Sequence, residues 1–239
     1  MLRKLTESIY YLPFESDNDR PILGYVKGEH TALMIDAGNS PAHVEKFLGA
    51  VEKEGFLKPN YCALTHWHWD HTFGTIGLEI PIIAHHLTNQ KLLEMKQWQW
   101  DLVSLEKRVE DGDEIEFCST HMQREYEDLS IIRIKSADIL FEDRLTIDLG
   151  NKIVELIHVD SSHGEDSVLV YIPEDKIVFL GDVYTEDYYN DEKIYNEKNL
   201  SLFNSLKELD FEIGIHGHAL PQTKKEILDI LEEMQSRSE

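Results

Sequence analysis

Cations are scarce in this sequence. Its 239 residues hold 23 Lys and Arg against 46 Asp and Glu, a formal net charge of -23. A protein that binds nucleic acid by neutralising phosphates needs a basic patch that this composition does not supply. RNA, DNA and anionic membranes are therefore poor partners for it. Cysteine is nearly absent: Cys62 and Cys118 are too few to frame a chain of this length with disulfides, which points to a reducing compartment. No run approaches the ~18 apolar residues of a membrane span. The N-terminal stretch is interrupted by Glu7, Glu15, Asp17 and Asp19 before any signal-peptide-like apolar segment forms. A cytoplasmic protein is the expectation. No Pro/Gly/Ser-rich linker, repeat or low-complexity tract divides the chain, so one domain is expected over 1–239.

What is present alternates between short β-branched runs and helix-period segments. GYVKGEHTALMIDAG reads as two strands joined at Gly28 and Glu29. Ser40 as N-cap, Pro41 at the first helical position, Val44, Phe47, Leu48 and Val51 at helical spacing, and Gly55 as a stop define an amphipathic helix. NYCALT and PIIAHH read as strands, TNQKLLEMKQWQWDLVSL as one helical segment, and RVEDGDEIEF as a solvated turn and strand. Strands are expected at 131–134, 145–149 and 152–158, and two more around the Pro173 to Asp175 turn. Helices are expected at 196–209 and 223–234 on either side of the strand EIGI.

Histidine is plentiful, at 12 residues, and its placement is pointed. In THWHWDH an extended backbone would put His66, His68 and Asp70 on one side and Trp67 and Trp69 on the other, with His71 off the alternation. Three histidines and a carboxylate in six residues form a nitrogen and oxygen donor set suited to zinc or a neighbouring first-row metal. Further candidates lie just past later apolar runs: His163 with His158 as its rival, Asp182, and His218 with His216 as its rival. The two cysteines read as buried apolar residues.

THWHWDH resembles the HxHxDH motif of the metallo-β-lactamase fold superfamily, and the later His, the Gly-Asp after an apolar strand and the Gly-His near the C-terminus resemble the rest of its pattern in order. The resemblance runs from IDAG at Ile35 through His218. It implies an α/β fold, a four-layer αββα sandwich of two mixed sheets flanked by helices, with a variable insertion at about 87–140 where substrate caps or homodimer contacts arise. It implies that His66, His68 and His163 hold one metal, that Asp70, His71 and His218 hold a second, and that Asp182 bridges them. His218 is preferred to His216 because the family's last ligand follows Gly, here Gly217. Asp36 resembles a carboxylate that fixes the tautomer of a ligand histidine, and Tyr184 resembles the tyrosine that positions substrate in related lactonases. The cofactors implied are two divalent ions, zinc foremost, with iron and manganese accepting the same donors.

The activity so implied is hydrolysis of a small ester, thioester, lactone or amide by a metal-bridged hydroxide, with Asp70 orienting the nucleophile and shuttling its proton. The aromatic segment after Asp182, with Tyr184, Tyr188, Tyr189 and Tyr195, and the pair Trp98 and Trp100 are candidates for the pocket wall. A nuclease is disfavoured by the acidic composition. Flavo-diiron chemistry is disfavoured by His68, where that branch has Glu, and a mono-iron sulfur dioxygenase by the lack of a Gly-Arg segment after Asp182. A phosphodiesterase acting on a small molecule is an alternative compatible with the same ligands.

Overall fold

The computed structural model describes residues 1–185 and 197–236. Strands β1 (Arg3–Lys4), β2 (Ile9–Leu12), β3 (Leu23–Lys27), β4 (Ala32–Ile35), β5 (Tyr61–Ala63), β6 (Ile82–His85) and β7 (Ile139–Phe141) form one sheet in that order. The first four pair antiparallel and the last three are added parallel. Strands β8 (Arg144–Asp148), β9 (Ile153–His158), β10 (Val168–Ile172), β11 (Ile177–Gly181), β12 (Ile213–His216) and β13 (Gln222–Thr223) form the second sheet, again neighbour to neighbour, with only β11 and β12 parallel. Helices α1 (Pro41–Lys53), α2 (Trp69–Thr72), α3 (His86–Met95), α4 (Leu102–Asp111) and α5 (Glu116–Glu125) follow strands of the first sheet, and α6 (Glu197–Glu208) and α7 (Lys224–Ser236) those of the second.

The layering follows from side-chain alternation. Along β4, Leu33 and Ile35 point into the space between the sheets, where they meet Val168, Val170, Phe179 and Ile215 of the second sheet, while Met34 points outward to join Val44, Phe47 and Val51 of α1. On β10 and β11, Leu169, Tyr171, Val178 and Leu180 point away from the first sheet onto Leu202 and Leu206 of α6 and Ile227 and Leu231 of α7. Strands covered on both faces are apolar throughout, which is why these runs lack a polar side. The result is the expected helix–sheet–sheet–helix sandwich. Among the described residues no helix is long and apolar enough to cross a membrane.

Several local expectations change. The segment read as one helix after residue 87 is two: α3 ends at Met95, and α4 restarts because the Asp101 carboxylate accepts from the Ser104 N–H at 2.8 Å. RVEDGDEIEF contains no strand; it is the end of α4, a left-handed Gly112 cap and the start of α5. The helical face of α5, Cys118, Ser119 and Met122, is hidden in sequence by its charged neighbours. Residues 131–134 keep the alternation of a strand, with Ile132 and Ile134 buried and Ile131 and Arg133 exposed, but pair with no strand and begin in a 3-10 turn. Strands β1 and β2 went unread at the sequence level, being short and close to an acidic loop.

Candidate metal centre

The site sits where β4, β5, β11 and β12 all end, so each strand delivers its next residues to one edge of the sandwich. Strand β5 releases Thr65 to His68 in irregular backbone before α2 begins at Trp69. The expected alternation therefore stops at His68, and a helical turn, not an extended strand, carries Asp70 and His71 away from His66 and His68. Trp69 goes into the core against Phe73, and Trp67 faces the cavity. Strand β11 ends in a register shift at Gly181, whose φ of 53° is open to Gly and where a Cβ would lie 2.7 Å from the Thr65 side chain. That bend delivers Asp182.

Two clusters result. His66, His68 and His163 each offer a ring nitrogen within one 4.8 Å group, as do Asp70, His71, Asp182 and His218 with one ligand atom each. The Nε2 atoms of His66 and His163 lie 3.2 Å apart. His71 Nε2 lies 3.1 Å from Asp70 Oδ2 and 3.6 Å from Asp182 Oδ1. His218 Nε2 lies 3.0 Å from Asp70 Oδ2 and 3.5 Å from Asp182 Oδ2. The His66 and His71 rings, 4.2 Å apart, join the two groups. All seven residues singled out as ligands thus meet, with Asp182 grouped beside Asp70.

The rivals are engaged otherwise. His216 borders the second cluster, with Nδ1 3.8 Å from Asp182 Oδ1, but both its ring nitrogens have partners, Nδ1 accepting from the His218 N–H at 3.1 Å and Nε2 bonded to Thr185 Oγ1 at 2.8 Å. His158 stacks on His85 at 4.0 Å and bonds the Glu165 carbonyl. Asp36, in left-handed backbone with φ 58°, takes the His71 Nδ1–H at 2.8 Å and the Thr65 N–H at 2.7 Å, and Thr65 Oγ1 reaches His66 Nδ1 at 3.0 Å. One carboxylate thereby orients a histidine in each cluster.

The residues fit divalent ions. His71 Nε2 and Asp182 Oδ1 are buried with no hydrogen-bond partner, an arrangement costly for polar atoms that nothing coordinates. Burial first, then the neighbouring imidazoles, holds His66 and His68 well below the usual histidine range, so both are neutral ligands at pH 7. Burial also opposes charge on His71 and His218, but the carboxylates override it, raising His71 well above its ordinary value and His218 to about 9. Asp70 and Asp182 resist burial for the reciprocal reason and stay well below the carboxylate range. The first cluster is thus nitrogen-only with His66 and His68 neutral, the second charged and rich in oxygen.

A cavity of about 1120 Å³ opens onto the first cluster at His68 and His163, and Trp67, Trp98, Lys91 and Arg108 are among its walls. Trp98 lines it; Trp100 is buried against Phe73, and the Arg108 guanidinium lies 4.9 and 4.6 Å over the two indoles. Tyr184 is not in this wall: its hydroxyl donates to Gln222 Oε1 at 2.8 Å and its ring packs 4.5 Å from His216. Tyr188, Tyr189 and Tyr195 lie outside the described residues.

His43, on the buried face of α1, has no hydrogen-bond partner on either ring nitrogen, and burial drives its pKa from 6.5 down to about 3. The unfolded chain therefore takes a proton near pH 6.5 that the folded chain refuses until about pH 3. Stability is lost as pH falls through that window, at up to about 1.4 kcal/mol per pH unit. Denaturant titrations of His43→Leu between pH 7 and 4 are expected to show a shallower decline than wild type; equal slopes would remove His43 from the acid response.

The model of the metallo-beta-lactamase superfamily matches residues 24–218. No curated protein matches by sequence. Among solved structures, the chain is similar to DIM-1 metallo-beta-lactamase, at 18% identity and a TM-score of 0.70 over 100% of this chain and 98% of that one. It is similar to a metallo-beta-lactamase from Pontibacter korlensis, at 15% identity and a TM-score of 0.63 over 97% and 98%. It is also similar to the stereoselective inverting sec-alkylsulfatase Pisa1 from Pseudomonas sp., at 12% identity and a TM-score of 0.69 over 98% of this chain and 40% of that one. At these identities the likeness is one of fold.

Proposed function

Because the chain belongs to the metallo-beta-lactamase superfamily, whose model matches residues 24–218, we propose that it is a hydrolase that works with two divalent ions, zinc foremost, on a small ester, thioester, lactone or amide. The observation that carries this reading is the pair of adjoining buried clusters, one of three histidines and one of two carboxylates and two histidines. When bound there, such ions lower the pKa of a water from ~15.7 toward ~7 and polarise the substrate oxygen.

The chain's own groups do the rest. Neutral His66 and His68, with His163, supply nitrogen donors, and Asp36 with Thr65 keeps His66 and His71 turned the right way. Asp70 Oδ2 is engaged by His71 and His218, which leaves Oδ1 to orient the nucleophile, take its proton and pass it to the leaving group. The cavity suits a small molecule rather than a polymer, and the acidic composition supports the same choice. Tyr184, expected to position substrate, lies outside the wall of this cavity and packs instead against His216.

Zinc-loaded protein assayed against lactones, acyl-glutathione thioesters, aryl esters, β-lactams and small phosphodiesters is expected to turn over at least one carboxyl derivative. That activity is expected to vanish on chelation and return with zinc. Turnover indifferent to chelator, or iron-dependent oxygen consumption in its place, would contradict the proposal.

A further inference from the structure

The loop between β2 and β3 carries Asp19, whose side chain is 12% exposed and whose φ of 52° is left-handed, a region that Asp enters more readily than most residues. Its carboxylate meets one basic group among the described residues: Oδ1 lies 3.7 Å from His218 Nδ1. His218 turns its other nitrogen, Nε2, toward Asp70 and Asp182. The same division recurs in the cluster. His71 gives Nδ1 to Asp36 and turns Nε2 toward Asp70 and Asp182, and His66 gives Nδ1 to Thr65 and turns Nε2 toward His163.

We propose that Asp19 is a positioning residue for His218 and so for the second metal, a role that rests on reading that cluster as a metal site. A carboxylate facing Nδ1 favours the tautomer with its proton on that atom. The Nε2 lone pair then points into the cluster, and the nearby anion makes it a stronger donor. The separation is longer than a hydrogen bond, so the effect is electrostatic and acts over a short distance in a buried setting. Burial first, then the nearby carboxylates of Asp70 and Asp182, pushes the Asp19 carboxyl up to about 7, a crowding of negative charge that a bound cation relieves.

The loop is built to hold that residue in place. The Ile22 N–H donates to the Gly217 carbonyl at 2.7 Å, one residue before His218, and the Asn18 carbonyl accepts from Asn39 Nδ2 at 2.8 Å. On the other side Glu125, the last residue of α5, whose side chain is only 1% exposed, receives Arg20 at 2.7 and 3.2 Å and Asn18 Nδ2 at 2.9 Å, with Ser40 Oγ bonded to the same carboxylate. Helix α5 lies in the segment 87–140, so the insertion grips the strap that presents Asp19. Asp19 itself precedes residues 24–218, the part that the family model matches.

Stepwise titration of metal-free protein with zinc and with cobalt, in competition with a chromophoric chelator, tests the role. In Asp19→Ala the second binding step is expected to weaken about 10- to 100-fold, with the first step unchanged and the visible cobalt bands of the second site shifted. Asp19→Asn is expected to weaken the second step about as much as Asp19→Ala, since the 3.7 Å contact acts through the charge that the amide lacks. The melting temperature of the metal-free protein is expected to stay level or rise in both. A second step within twofold of wild type in Asp19→Ala, while wild type binds two ions, overturns the role of Asp19 alone. Weakening of both steps with a lower melting temperature makes Asp19 structural and overturns it as well. Uptake of fewer than two ions by wild type overturns this role and the proposed function together.

Discussion

Asp70→Asn is expected to fold and melt like wild type while kcat falls by about 10²- to 10⁴-fold, the range for loss of a positioned acid–base group. The two side chains are nearly isosteric, so the contacts of Asp70 with His218 at 3.0 Å and His71 at 3.1 Å keep their geometry. The amide cannot take up a proton, and it no longer contributes the negative charge that raises His71 and His218. First-cluster ligands are untouched, so binding of one metal is expected to persist. Kinetics beside a thermal melt check this, and a variant with wild-type kcat on every substrate would remove Asp70 from the mechanism.

Gly217→Ala is expected to disable the site without altering any ligand. A Cβ built at this position lies 2.4 Å from Asp182 Oδ1 and 2.9 Å from His71 Cε1. The backbone has little room to retreat, because the Gly217 N–H is bonded to the Gly181 carbonyl at 2.9 Å and its own carbonyl to Ile22. The side chains that must give way are therefore two of the second cluster's four. Overpacking of this kind costs about 1–3 kcal/mol, which leaves the fold standing. The second metal is expected to bind at least about 10-fold more weakly, by analogy with disturbance of the groups that orient a ligand, and kcat to fall with it. Metal analysis and kinetics on a variant with an unchanged circular dichroism spectrum test this; normal metal content would show that the site adjusts around the methyl group.

Much of the centre was legible in the sequence because its residues are dense or punctuated. THWHWDH announces itself, and His163, Asp182 and His218 each follow an apolar strand that had already been read. What separates His218 from His216 in the structure was not in the sequence: His218 offers a ring nitrogen to the second cluster, while His216, 3.8 Å from Asp182, spends both ring nitrogens on Thr185 and the His218 N–H. The turn that separates Asp70 from His68 was not legible, since a run alternating His with Trp has the period of an extended strand. Asp19 was invisible, one of many acidic residues in a loop, because its meaning arises only when β2 and β3 fold the loop against Gly217.

The layers were legible where strands are apolar on both faces and helices carry clean caps, as at Ser40 and Pro41. They were not legible in 97–134, where α4 and α5 bury few side chains each and charged residues obscure the helical period. That same segment holds Trp98 at the cavity and Glu125 at the Asp19 loop, so its role emerges from tertiary contacts alone.

The central claim is that two adjoining clusters hold two ions. Elemental analysis of zinc-saturated, desalted protein tests it most directly: two zinc ions per chain are expected, whereas a stoichiometry of one or none would contradict the two-metal reading of His66, His68, His163, Asp70, His71, Asp182 and His218.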